Sequence, residues 1–63
     1  MMSVGKLFAD VTAALEDLHA VAVEGQAPDL TDDVQHALLG LLDNGLRELR
    51  AMLKAIRETA ADV

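Results

Sequence analysis

This chain has no cysteine, no tryptophan and no tyrosine, and only one phenylalanine and one proline. Without cysteine there is neither a disulfide staple nor a thiolate zinc site. With Phe8 as the only aromatic, an apolar content dominated by Leu, Ala and Val favours packed helices over strands. Basic residues are scarce: five Lys and Arg stand against 11 Asp and Glu, a formal charge of −6. That balance makes nucleic acid and anionic membranes poor partners. There is no Gly-rich phosphate loop, and Ser3, the only serine, has no base linked to it by any pattern. No enzymatic activity and no cofactor are therefore expected. No apolar run approaches the ~20 residues that cross a bilayer. The short apolar stretch after Lys6, interrupted by Asp10, lacks the form of a signal peptide. A soluble cytoplasmic protein is the expectation.

What the chain does have is apolar periodicity. Val4, Phe8, Val11, Leu15, Leu18 and Ala22 recur at alternating steps of four and three, and so do Leu38, Leu42, Gly45, Leu49, Met52 and Ile56. Such spacing places each set on one side of a helix. The first helix is predicted over about residues 3–24, with Ser3 as N-cap and Gly25 as the C′ residue ahead of Pro28. Residues 25–30 form the connection. The second helix is predicted over about 31–61, with Thr31 or Asp29 as N-cap and Asp32 and Asp33 favourably placed in the first turn. Asp43-Asn44-Gly45 reads locally as a turn, which leaves a three-helix alternative broken there. The heptad stays in phase across that site, and continuity is the preferred expectation.

Sixty-three residues allow one domain, spanning residues 1–63, and a domain of this size buries only about 60% of its unfolded surface. The expected fold is all-α: an antiparallel helical hairpin that dimerises into a four-helix bundle. Constant pairing across the loop sets Leu18 against Leu38, Leu15 against Leu42, Val11 against Gly45, Phe8 against Leu49 and Val4 against Met52. Ile56 to Val63 should then project past the hairpin. Leu7, Ala14 and Val21 on the first helix, and Leu39, Leu46, Leu53 and Ala60 on the second, widen each stripe beyond what one neighbour covers. Leu7, Val21, Leu39, Leu46, Leu53 and Ile56 are accordingly expected at a dimer interface. In chain length and heptads this architecture resembles the Rop family of small RNA-binding hairpins, which dimerise into four-helix bundles. No residue motif is shared, so the resemblance implies architecture and no activity.

Three polar constellations carry weaker expectations. Glu16 with His19 and Asp33 with His36 have the carboxylate-to-His spacing of di-metal bundles, but Glu16, Asp33 and His36 fall on outer faces, where solvated surface pairs are the default. No metal is expected. Arg47, Arg50, Lys54 and Arg57 form one basic stripe, either a solvated helix face, with pairs such as Asp43 to Arg47 and Lys54 to Glu58, or a docking surface for an anionic partner. Asp10, Glu16, Asp17, Glu24, Asp29, Asp32 and Asp33 keep an apolar chain soluble, or serve a phage- or plasmid-type inhibitor that blocks a basic site. The function expected first is a non-enzymatic regulatory or adaptor protein that acts through protein–protein interaction as a homodimer, with its protein partner unknown. The inhibitor and a metal-binding bundle are the alternatives.

Overall fold

Two helices joined by a seven-residue loop make an antiparallel hairpin: α1 over Val4–Glu24 and α2 over Asp32–Ala61. The structure, a computed structural model, describes residues 3–61. Ser3 is extended, and its hydroxyl accepts the N–H of Lys6 at 3.1 Å, which fixes the start of α1. Thr31 does the same for α2. Its hydroxyl accepts from Val34 N–H at 3.3 Å and its carbonyl from Gln35 N–H at 2.9 Å, so Asp29 is not the cap.

The end of α1 differs from expectation. Gly25 stays right-handed, with φ −66° and ψ −11°, instead of entering the left-handed region of a C′ glycine. The helix unwinds through short turns, with Gln26 N–H donating to the Val23 carbonyl at 3.1 Å and Ala27 N–H to Glu24 at 3.3 Å. These bonds satisfy the last carbonyls without a left-handed residue.

α2 runs unbroken through Asp43-Asn44-Gly45, which overturns the three-helix alternative. A local turn preference is weak, about 1 kcal/mol at a helical glycine, and tertiary packing overrides it. The packing in question is the contact of Gly45 with Leu18. A Cβ built on Gly45 would collide with a Leu18 methyl and lie 2.9 Å from its Cγ. Leu18 thus fills the space that a side chain at 45 would occupy.

That contact sets the register. Stepping outward from Leu18 and Gly45 in opposite directions brings Ala14 to Leu49, Val11 to Met52, Leu7 to Ile56 and Val4 to Thr59. Toward the loop it brings Val21 to Leu42 and Gly25 to Leu38. All of these are buried or half-buried except Gly25. The register is one heptad away from the expected pairing of Leu18 with Leu38. The expected overhang is corrected with it. As far as Ala61 the end of α2 lies level with the start of α1, and residues 62–63 fall outside the described residues. The surplus of α2 sits instead at the loop end, where its first two turns run beside residues 25–31.

The seam residues of α1 also differ. Leu7 is the most buried side chain, at 3% exposure, followed by Leu38 and Ile56 at 9%. Ala14 and Val21 are half-buried with it, whereas Phe8, Leu15 and Ala22 are exposed. Phe8 therefore does not sit against Gly45. Leu7, Val21 and Ile56, expected between protomers, lie inside one hairpin.

Two helices in contact along one seam give a rod of 49 × 15 × 14 Å. Its radius of gyration is 14.8 Å, where a compact domain of this length has about 11 Å. The accessible surface is 5011 Å², against ~3,900 Å² for a typical folded monomer of 6.7 kDa. The excess, roughly 1,100 Å², follows from the rod shape, which leaves five leucines about half exposed.

Candidate functional site

Of the eight exposed large apolar residues among the described ones, five share one side of the hairpin, while Val23 is on the outer surface of α1 and Val34 and Leu41 are on the opposite side. In α1, Phe8, Leu15 and Ala22 each follow a seam residue, Leu7, Ala14 or Val21, and so share one flank of the seam. In α2, Leu39, Leu46 and Leu53 follow Leu38, Gly45 and Met52 in the same way. In an antiparallel pair these two sets fall on the same side of the hairpin. Ala22 and Leu39 indeed line one cleft of about 370 Å³ at the loop end, together with Val21, Leu30, Leu38 and Leu42. Phe8 is 55% exposed and Leu39 62%, with Leu15, Leu46 and Leu53 close to these values. Both helices thus contribute to one apolar flank that runs most of the length of the rod. Contiguous apolar patches of this kind mark interaction sites.

The opposite flank is different in kind. Asp17 and Glu48 line a smaller cleft there, of about 280 Å³, with Leu41 and Asn44. Asp10 and Glu24 share the helical position of Asp17 one heptad away on either side. Leu41 and Val34 are apolar exceptions on the α2 side of this flank. Of the other acids singled out, Glu16 is on the outer surface, and Asp29, Asp32 and Asp33 belong to the loop and the first turn of α2. The acidic residues therefore form no single continuous face.

The basic stripe lies on the back of α2, away from the seam. Arg47 pairs with Asp43 at 3.0 Å, and Lys54 approaches Glu58 to 3.9 Å, both pairs exposed. Arg50 and Arg57 have no ion pair among the described residues and border the apolar flank. Exposed pairs of this sort contribute under ~1 kcal/mol.

The two carboxylate–His pairs do not converge. In the observed register His19 is level with Asn44, eight residues and about 12 Å along the axis from His36. The Nδ1–H of His36 donates to its own helix, to the carbonyl of Asp32 at 2.9 Å. Among the described residues, no group of three or more His, Asp or Glu is gathered to hold a metal ion. No helix among them is long and apolar enough to cross a membrane.

Reasoning from sequence placed Leu39, Leu46 and Leu53 on an outward stripe, and the structure leaves all three exposed. It missed Phe8 and Leu15, which it had assigned to the seam. The signal was present in the acidic residues: Asp10, Asp17 and Glu24 bound the apolar arc of α1 on one side and so mark Phe8, Leu15 and Ala22 as its other margin. Comparison with protein-family models, with curated proteins and with solved structures finds no match for this chain.

Proposed function

We propose that this protein is a non-enzymatic interaction module, a small regulatory or adaptor protein, and that it works as a homodimer joined through the apolar flank into a four-helix bundle. The observation that carries this reading is the flank itself, with five large apolar side chains exposed in line along two helices. The shape supports it too: the rod exposes roughly 1,100 Å² more than a compact monomer of its mass, over all its faces together, and a standard interface covers about 800 Å² per partner. A second copy is the occupant that needs nothing further: its flank is equally apolar and as long as the surface to be covered, and closed two-fold dimers are the commonest assembly. A lone hairpin buries only about half of its unfolded surface, below the ~60% usual at this size, and self-association makes up the deficit.

The basic stripe and the acidic residues then lie on the outside of the bundle, where they keep it soluble and are available to a further partner. The test is the mass in solution. Sedimentation equilibrium at micromolar concentration is expected to give twice 6.7 kDa, with cooperative melting that depends on protein concentration. A monomer mass for a fully helical, cooperatively melting sample would overturn the homodimer. Affinity capture from the native host then identifies the partner.

A further inference from the structure

We infer that the two copies lie with their loop ends pointing in opposite directions, and that each inserts its Phe8 ring over Ala22 and into the loop-end cleft of the other. This arrangement rests on the homodimer reading and specifies its geometry.

The apolar flank has three layers along the rod. Phe8 and Leu53 form the layer near the chain ends, Leu15 and Leu46 the middle one, and Ala22 and Leu39 the layer at the loop. The outer two are opposite in shape. Phe8 is the only aromatic side chain, and it projects, 55% exposed. Ala22 is small, and beside it opens the cleft of about 370 Å³, lined mainly by aliphatic side chains with Gln26 and Gln35 among them. Both residues stand seven positions from Leu15, about 10.5 Å along the axis in each direction. A two-fold axis across the helices through the middle layer therefore superimposes one protomer's Phe8 on Ala22 of the partner subunit. It also sets α1 against α1 and α2 against α2, with Leu46 meeting Leu46 of the partner subunit. Large against small in successive layers is how packed cores interdigitate.

Charge supports the same axis. Arg50, which has no ion pair among the described residues, and Asp43, which Arg47 holds from one side, lie on either side of Leu46 along the rim of the flank. The axis brings Arg50 level with Asp43 of the partner subunit, twice per dimer. With the loop ends together, α1 would instead face α2. Phe8 would meet Leu53 of the partner subunit, the cleft would stay unfilled, and Arg50 would lie near uncharged Thr12 of the partner subunit. The opposed arrangement fills the cleft and pairs the charge.

The absence of native cysteine allows a single nitroxide label at Asp29→Cys in the exposed loop. Opposed hairpins place the two labels above about 35 Å apart, whereas hairpins with loops together hold them under about 25 Å. Pulsed electron paramagnetic resonance reads this distance with Phe8 intact. Ala22→Phe supplies the second measurement. In the opposed dimer its ring collides with Phe8 of the partner subunit and raises the dissociation constant at least 10-fold. The double variant Phe8→Ala/Ala22→Phe returns it to within a few-fold of the parent. In the alternative dimer Ala22→Phe fills a void and tightens association. A short label distance, or tightening by Ala22→Phe, in a sample that sediments as a dimer overturns the opposed arrangement and leaves the homodimer standing. A monomer overturns both.

Discussion

The two flanks of the helical seam have the same backbone, length and register, and opposite chemistry. One presents Phe8, Leu15, Ala22, Leu39, Leu46 and Leu53, the other Asp10, Asp17, Glu24 and Glu48 interrupted by Leu41 and Val34. A hairpin meant to stand alone has no use for the difference, since both flanks border water equally. Making one flank apolar costs solubility and returns stability only if something covers it. The asymmetry therefore separates a surface for association from a surface for solvent, and substitutions on the seam, the apolar flank and the rim should have effects that fall in that order.

The largest effect is expected in the seam. Leu7→Asp puts a carboxylate at the most buried position, opposite Ile56, with no cation within the seam to pair with it. An unpaired buried charge costs several kcal/mol, which is comparable with the whole stability of so small a domain. Helical circular dichroism at 25 °C should be lost. Retention of a cooperative melt would show that the seam does not hold the fold.

Next comes the apolar flank. Leu46→Asp changes a residue exposed in one hairpin, so a surface position of no consequence would tolerate it within about 0.5 kcal/mol. If the middle layer meets its own copy across a two-fold axis, two carboxylates are buried side by side. The dissociation constant should then rise about 100-fold or more. The same substitution at Leu41, equally exposed but on the acidic flank, is the matched control and should leave the mass unchanged. Equal effects at 41 and 46 would abolish the distinction between the flanks.

Smaller effects, and of opposite sign, are expected at two glycines five residues apart in α2. Gly45→Ala gains about 1 kcal/mol of helix propensity and loses more through collision with Leu18, for a net destabilisation of roughly 1–2 kcal/mol. Gly40 has nothing within 4 Å of where its Cβ would stand, so Gly40→Ala should stabilise by about 1 kcal/mol. Thermal midpoints that move in the same direction for both would remove Gly45 as the determinant of register.

These glycines also show what the sequence disclosed and what it withheld. Both helices, their Ser3 and Thr31 caps and the seam of α2 were legible, because caps and heptads are local signals. The seam of α1 was not. Val4, Val11 and Leu18 belong to two overlapping heptads, one completed by Leu7, Ala14 and Val21 and the other by Phe8, Leu15 and Ala22. The second is bulkier in the middle, so hydrophobicity alone favoured it. What decides between them is the facing surface, where Gly45 admits Leu18 and the rest of the register follows. The pairing was displaced by a heptad for a related reason: the loop and the first two turns of α2 lie beside each other, which loop length alone does not specify. The apolar flank was half legible. Its α2 residues were identified, and its α1 residues were exchanged with those of the seam.

The smallest effects belong to the rim of the apolar flank, and there the two unpaired arginines should separate. Arg50 and Arg57 share the same position in successive heptads and make no ion pair among the described residues. As mere solvated charges, each should be replaceable by Gln within about 0.5 kcal/mol of hairpin stability. Opposed hairpins treat them differently. The two-fold axis sets Arg50 beside Asp43 of the partner subunit, whereas Arg57 comes level with His36 of the partner subunit, and the nearest acid, Asp33 of the partner subunit, lies further toward the loop. A rim ion pair contributes about 0.2–1 kcal/mol and occurs twice in the dimer. Arg50→Gln should therefore raise the dissociation constant a few-fold at low salt, with the difference fading above about 0.5 M, where the Debye length falls below ~5 Å. Arg57→Gln should raise the constant by less than Arg50→Gln at every salt concentration. Equal responses would mean that the rim carries no orientation, and the opposed dimer would then depend on Phe8 and its cleft alone.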